Sequence, residues 1–242
     1  MIHYHGTPIG GPHDRAAESL LGRHAFVSFA APSQLEIVVS VCQSFAVDNG
    51  AFSAWRSGKA ITDWAPFYEW VAGIKNEPTL DFALIPDVID GTEREQDDLV
   101  EAWPYPEIGV PVWHMNEDVA RLVRLCSAWS RVAIGSTGAY KDPGSSLWWS
   151  RMADAMNSIC VDGKPPCKLH GLRMLDPGIF CHLPLASADS TSAAFNSHVD
   201  AAWNGTYEPP KAWRTRVLMA RIEAWGSARS WESVRVQQRM FA

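Results

Sequence analysis

No stretch of this chain approaches the roughly 20 uninterrupted apolar residues that a membrane-spanning helix requires. It has no low-complexity run, and 20% of its residues are charged against 47% hydrophobic. A disordered or fibrous chain is thereby excluded, because enough apolar surface is present to offset the entropy of ordering. The opening Met1-Ile2-His3-Tyr4-His5-Gly6 lacks a basic segment followed by an apolar one, so a cytoplasmic protein is expected. Cysteine is scarce and odd in number: Cys42, Cys126, Cys160, Cys167 and Cys181 are scattered along the chain. That is the pattern of reduced, mostly buried thiols rather than of a disulfide frame. Cys160, Cys167 and His170 come nearest to a metal-ligand set, but their spacing is not that of a zinc site.

An excess of positive charge is also missing. The net charge of −6 argues against a generally basic nucleic-acid binder. Its distribution is uneven: from Lys211 onward the cations Lys211, Arg214, Arg216, Arg221, Arg229, Arg235 and Arg239 face only Glu223 and Glu232, so this tail carries +5 and residues 1–210 carry −11. Two readings stay open for it. One is the solvated face of a C-terminal helix; the other is a nucleic-acid surface formed by Lys211, Arg214, Arg216 and Arg221.

What the chain does have is length for one sizeable core: 242 residues, 12 of them Trp, fit a single domain. Short β-branched and aromatic runs predict eight strands, at Ile2–His5, Ala25–Phe29, Phe45–Asp48, Phe82–Ile85, Val110–His114, Val132–Gly135, Lys168–Leu172 and Leu185–Asp189. Helices are predicted between them near Ser33–Cys42, Asp63–Lys75, Glu93–Trp103, Asn116–Ser127, Ser145–Ile159 and Pro177–Cys181, with Ser33, Asp63 and Asn116 as capping residues. The expected architecture is α/β, a compact (β/α)8 TIM-type barrel closed by one or two helices over Lys211–Phe241, broken near Gly226. A doubly wound open sheet is the alternative.

Barrel active sites are assembled at the carboxyl ends of the strands, and three of these ends each deliver one aspartate: Asp48, Asp87 and Asp189. A lone carboxylate there caps a helix or satisfies a turn as readily as it catalyses. Three together raise one another's proton affinity, so that one remains an acid while another stays an ionised nucleophile. Such a division suits cleavage of a glycosidic bond. Gly50, Gly135 and Gly138 would let backbone approach a flat ligand. Phe52, Trp55 and Trp113 are candidates to sandwich a purine, or else core aromatics.

Val47-Asp48-Asn49-Gly50-Ala51-Phe52 resembles the Asp-Ser-Gly-Gly-Phe-Gln motif of the queuine and archaeosine tRNA-guanine transglycosylase family. Further segments follow in the family's order. Asp81–Asp87 resembles the strand ending in a second base-reading Asp, and Ala133-Ile134-Gly135-Ser136 a Leu-Gly-Gly turn that contacts the base. Lys168–Leu172 with Asp176-Pro177 is similar to His-Tyr-Leu-Met-Gly-Val-Gly-Thr-Pro-Glu, and Leu185–Ser190 to the strand bearing the nucleophilic Asp. The resemblance implies a barrel in which Asp189 attacks the anomeric carbon, Asp48 donates and accepts the proton of the exchanged base, and Asp87, Asn49, Gly50, Phe52, His114, Gly135 and Ser136 form the base pocket. Asn49, Ala51 and Ser53 depart from the motif, as do His114, where a Gln-Gly-Gly belongs, and Ser136.

The family's tRNA-specific zinc cluster, Cys-x-Cys-x-x-Cys with a later His, has no counterpart here. A chain this short without it is similar to the phage and bacterial branch that modifies DNA. The partners implied are DNA, with tRNA as the alternative, and a free 7-deazaguanine base such as 7-cyano-7-deazaguanine, with no metal or redox cofactor. The rivals are a barrel N- or O-glycoside hydrolase and a non-catalytic nucleic-acid-binding protein.

Overall fold

The computed structural model describes residues 1–10, 13–196 and 213–232. Nine parallel strand segments alternate with helices: β1 Ile2–Gly6, β2 His24–Ser28, β3 Ser44–Asp48, β4 Leu80–Leu84, β5 Gly109–Val110, β6 Val112–His114, β7 Arg131–Gly135, β8 Lys168–Gly171 and β9 Ser187–Ser190. The helices are α1 His13–Leu20, α2 Leu35–Val41, α3 Ala51–Arg56, α4 Ala65–Ile74, α5 Glu93–Glu101, α6 Val119–Ala128, α7 Ser146–Ile159, α8 Pro177–Phe180, α9 Ser192–Asn196 and α10 Arg214–Glu223. None is long and apolar enough to cross a membrane among the described residues.

The strand order β5-β4-β3-β2-β1-β9-β8-β7-β6 is a ring, because its two ends are neighbours in the chain. Pro111 separates them. Lacking an N–H, it interrupts the ladder, so the stretch expected as one strand over Val110–His114 splits into two. Val110 accepts from Ile85 N–H at 3.0 Å on the β4 side, and Pro111 accepts from Ala133 N–H at 2.9 Å on the β7 side. The result is a nearly closed, TIM-like parallel barrel rather than an open sheet.

The two-residue period of a strand sorts side chains into two cores. Tyr4, Phe26, Ala46, Phe82, Leu84, Val110, Val112 and Ala133 fill the barrel. Phe45, Val47, Ala83 and Ile85 lie outside against the helices on one side, as do Trp113, Val132, Ile134, Leu169 and Ala188 on the other. This phase sends Asp48, His114, Gly135, His170 and Asp189 inward. It also decides between the two readings of Trp113: alternating with Val112 and His114, it is fully buried behind the barrel, a core aromatic that cannot stack on a purine.

Helix boundaries differ in instructive ways. Ser33 caps nothing: the residue before α2 is Gln34, which makes no side-chain cap. α6 is capped by Asp118, two residues beyond Asn116, whose amide oxygen instead accepts from Thr137. Asp63 accepts from Ala65 N–H at 2.9 Å, at the start of α4. α1, α3 and α9, of 8, 6 and 5 residues, are too short to leave a clear period in sequence. Among the described residues the expected closing segment contributes the helix Arg214–Glu223; Pro209, Pro210, Lys211, Arg235 and Arg239 lie outside the described residues.

α10 packs on the outside of β1 and runs against it, because Glu223 meets His5 at 2.9 Å while the carbonyl of Trp225 meets His3 at 2.9 Å. Its first turn therefore points to the carboxyl end of the barrel, and its last lies about 14 Å nearer the amino end at 1.5 Å per residue.

Candidate active site

Four strands deliver the polar residues of the barrel mouth. Asp48 ends β3, and its Oδ2 accepts from Ser28 Oγ at 2.7 Å and from Gly50 N–H at 3.2 Å. Gly50 has φ +83°, and a Cβ there would stand 3.1 Å from Ala30 N, so the turn that aims its N–H at Asp48 is open only to glycine. Asp48 Oδ1 has no hydrogen-bond partner among the described residues. Burial, reinforced by the charges of Asp87 and Asp189 and opposed by the two hydrogen bonds, pushes its carboxyl up to about 7. The three aspartates thus share one electrostatic environment.

Asp189, 5% exposed, is anchored in the same manner. Its Oδ1 accepts from Arg173 N–H at 2.9 Å, and His170 Nε2 stands 3.4 Å from the same oxygen. Oδ2 carries no hydrogen bond from a described residue. Arg173 holds a left-handed backbone, φ +60°, and its guanidinium lies 4.8 Å from the centroid of Phe52 on α3. Phe52 in turn packs against the exposed Trp55, ring centroids 5.9 Å apart. The loop that holds Asp189 thereby reaches across the mouth to the helix that follows Asp48.

Asp87 is held differently, with both oxygens engaged: Oδ1 by Asn49 Nδ2 at 2.7 Å and Oδ2 by His114 Nε2 at 2.7 Å. The other ring nitrogen of His114 faces Glu117 at 3.2 Å, Glu117 meets Arg121 at 2.8 Å, and Arg121 meets Asp97 at 2.8 Å. Burial works against a charged His114, yet the hydrogen bonds and charges of Asp87 and Glu117 outweigh it and push the imidazole up to about 9. A buried imidazolium therefore stands between two carboxylates, the paired state that makes buried charge tolerable.

Asn49, 1% exposed, uses its whole amide inside the protein: Nδ2 donates to Ile85 and Asp87, and Oδ1 accepts from Ala51 N–H. Its task is to hold Asp87. Gly135 leaves room for the His114 ring, since a Cβ there would lie 3.0 Å from Cδ2. Ser136 accepts from Trp148 Nε1 at 2.8 Å. The structure thus gathers Asp48, Asn49, Gly50, Asp87, His114, Gly135 and Asp189 at the mouth, with Phe52 at its edge.

Cys160 and Cys167 pack outside the strands, whereas His170 lies inside among Tyr4, Phe26 and Phe82, so that trio does not converge. Among the described residues no three His, Cys, Asp or Glu side chains are grouped to hold a metal ion. Arg216 and Arg221 are exposed on α10, and Arg214 is half-buried there. Lys211 lies outside the described residues.

No family model, no curated protein and no solved structure matches this chain. The site therefore rests on its own geometry. Sequence reasoning missed Ser28, Glu117, His170 and Arg173. Ser28 was within reach: it pairs with Asp48 in the β2–β3 register and shares its inward phase. Arg173 was not, because its contact with Asp189 runs through the backbone.

Proposed function

We propose that the chain is a guanine transglycosylase that exchanges a guanine in DNA for a free 7-deazaguanine base through a covalent glycosyl-enzyme. The observation that carries this reading is the pair Asp48 and Asp189, two carboxylates of one mouth, each tied down by a single oxygen with the other left unbonded. One of the two holds its proton near neutrality. Double displacement at an anomeric carbon needs such a division between nucleophile and acid.

In the first step Asp189 Oδ2 attacks C1′ from one face while the bond from C1′ to the purine nitrogen breaks on the other. The electron pair leaves with guanine, which takes the Asp48 proton. In the second step the incoming base attacks C1′, gives its ring-nitrogen proton to Asp48 and returns the bonding pair to Asp189. Configuration is retained. Asp87, fixed by Asn49 and His114, presents acceptor oxygens suited to the N1–H and 2-amino edge of guanine.

The target carbon is shielded in a stacked duplex, so the nucleotide must be flipped out or single-stranded. Phe52, Trp55 and Arg173 at the mouth suit such a strand by stacking and phosphate contact. A tRNA substrate uses the same chemistry, and polymer choice is read by offering both.

The test is incorporation of labelled guanine into guanine-containing single-stranded DNA, with trapping of the protein–DNA adduct. Asp189→Asn is expected to lower exchange by at least about a thousandfold while binding survives. Exchange by the variant at near the parent rate would place the nucleophile elsewhere. Release of guanine without incorporation would make the protein a hydrolase.

A further inference from the structure

Beneath Asp189 the barrel holds a histidine with an unanswered polar atom. His170 is fully buried, its ring packed by Tyr4, Phe26 and Phe82 at centroid distances of 5.9, 5.4 and 5.1 Å. Nδ1 lies 2.9 Å from Ser187 Oγ. Nε2 has no hydrogen-bond partner and stands 3.4 Å from Asp189 Oδ1. A buried polar group left unsatisfied is costly and calls for a reason.

The tautomer follows from the neighbours. Nε2 faces a carboxylate oxygen, and a lone pair there would meet a lone pair. The proton belongs on Nε2, with Ser187 Oγ–H donating to Nδ1 to fix it. The donor then lies 3.4 Å from the oxygen that Arg173 N–H already holds, near enough to close on it but not yet aligned to bond it. Hydrogen bonds of catalytic groups are often long before substrate binds and tighten in the complex.

We infer that His170 is a positioning residue whose Nε2–H closes on Asp189 Oδ1 as the carboxylate departs from the sugar, so that it serves chiefly the second half of the proposed exchange. This rests on Asp189 being the nucleophile. In the glycosyl-enzyme Oδ2 is bonded to C1′ and the carboxyl is neutral; when the incoming base attacks C1′, that bond breaks and its electron pair returns to the carboxylate. Two donors on Oδ1, Arg173 N–H and His170 Nε2–H, stabilise the charge that develops. With one donor missing, the ester leaves more slowly.

The experiment follows the two half-reactions separately, using the full chain and single-stranded DNA. Adduct formation is timed before any free base is added, and adduct breakdown after addition of guanine. His170→Leu is expected to slow breakdown by about a hundredfold, the lower end of the range for losing one such donor. Affinity for DNA and guanine should hold, and adduct should accumulate. His170→Gln, which returns an N–H near the Nε2 position, should recover most of the breakdown rate.

A variant that merely loosened the barrel would weaken binding and slow both halves. Breakdown in His170→Leu at the parent rate, or no recovery with His170→Gln, overturns the inference. Nitrogen NMR of the parent protein tests it without any variant: His170 must carry its proton on Nε2, and a proton on Nδ1 overturns the inference. Should the parent form no adduct that Asp189→Asn abolishes, it is the transglycosylase reading that fails, a result the ring-nitrogen spectrum cannot imitate.

Discussion

The two ends of the barrel carry similar polar residues and treat them in opposite ways. At the amino end, Asp81 accepts from Tyr4 Oη at 2.5 Å and pairs with Arg131 at 3.0 Å, and Arg131 lies 4.5 Å from the centroid of Phe82. His24 meets Ser44 at 2.8 Å. Asp81 and Arg131 answer each other's charge there. At the carboxyl end, Asp48 and Asp189 each keep an oxygen without a protein partner, and only Asp87 is matched by a cation, His114. One set of strands thus supports a floor that is electrostatically closed and a mouth that is not. Charge left unmatched at one end of a well-paired barrel is what a site for chemistry requires, and what stability alone would remove.

Three measurements break or sharpen this comparison. The largest effect is expected at His114. His114→Leu leaves Asp87 buried without its cation and takes from Glu117 one of its two, the other being Arg121, and should cost about 3–5 kcal/mol of stability in denaturant titration. Arg131→Met on the floor strips Asp81 in the same way and should also destabilise, yet leave base exchange in the surviving folded protein unchanged. Exchange abolished by the floor variant would end the division between the two ends.

Next comes pH. With its carboxyl raised to about 7, Asp48 contributes stability that is complete below its ordinary value near 4 and is lost as pH rises through about 7. His114 adds stability that is complete below about 6.5 and is lost as pH rises through about 9. Asp48→Asn should therefore be more stable than the parent at pH 8, by about 1–2 kcal/mol after allowing for water at the mouth. The gain should vanish at pH 4 while exchange stays low throughout. A variant less stable at pH 8 than at pH 4, relative to the parent, would show that Asp48 is buried as an ion.

The smallest effect separates the ends of α10. Arg214→Ala with Arg216→Ala, near the mouth, should flatten the salt dependence of DNA binding by about one to two counterions. Arg221→Ala, near the floor, should leave it unchanged. Equal effects would mean that DNA wraps the side of the barrel rather than crossing its mouth.

Much of this mouth was legible in the sequence because a strand's alternation is a reliable geometric signal. Phe45 and Val47 against Ala46 and Asp48 state which side the aspartate takes. The same alternation places Trp113, between the inward Val112 and His114, on the outer face of its strand. What remained hidden was of two kinds. Some contacts run through backbone, as from Arg173 to Asp189, and leave no mark on side-chain identity. Others join distant elements: Glu117 and Arg121 look like ordinary helix-start charges until the fold brings His114 and Asp97 to them.

The proline seam has a consequence for how the ring stays shut. Eight of the nine junctions around the barrel are made by hydrogen-bonded neighbours alone, and the remaining one is a covalent hinge at Pro111, flanked by segments of only two and three residues. Tethering of this kind replaces pairing energy with high effective concentration, since the two half-strands cannot diffuse apart. The last turn of the ring is thus held by connectivity more than by cohesion. Amide protons beside Pro111 are accordingly expected to be the first of the barrel's to exchange with solvent, which hydrogen-exchange measurements would read.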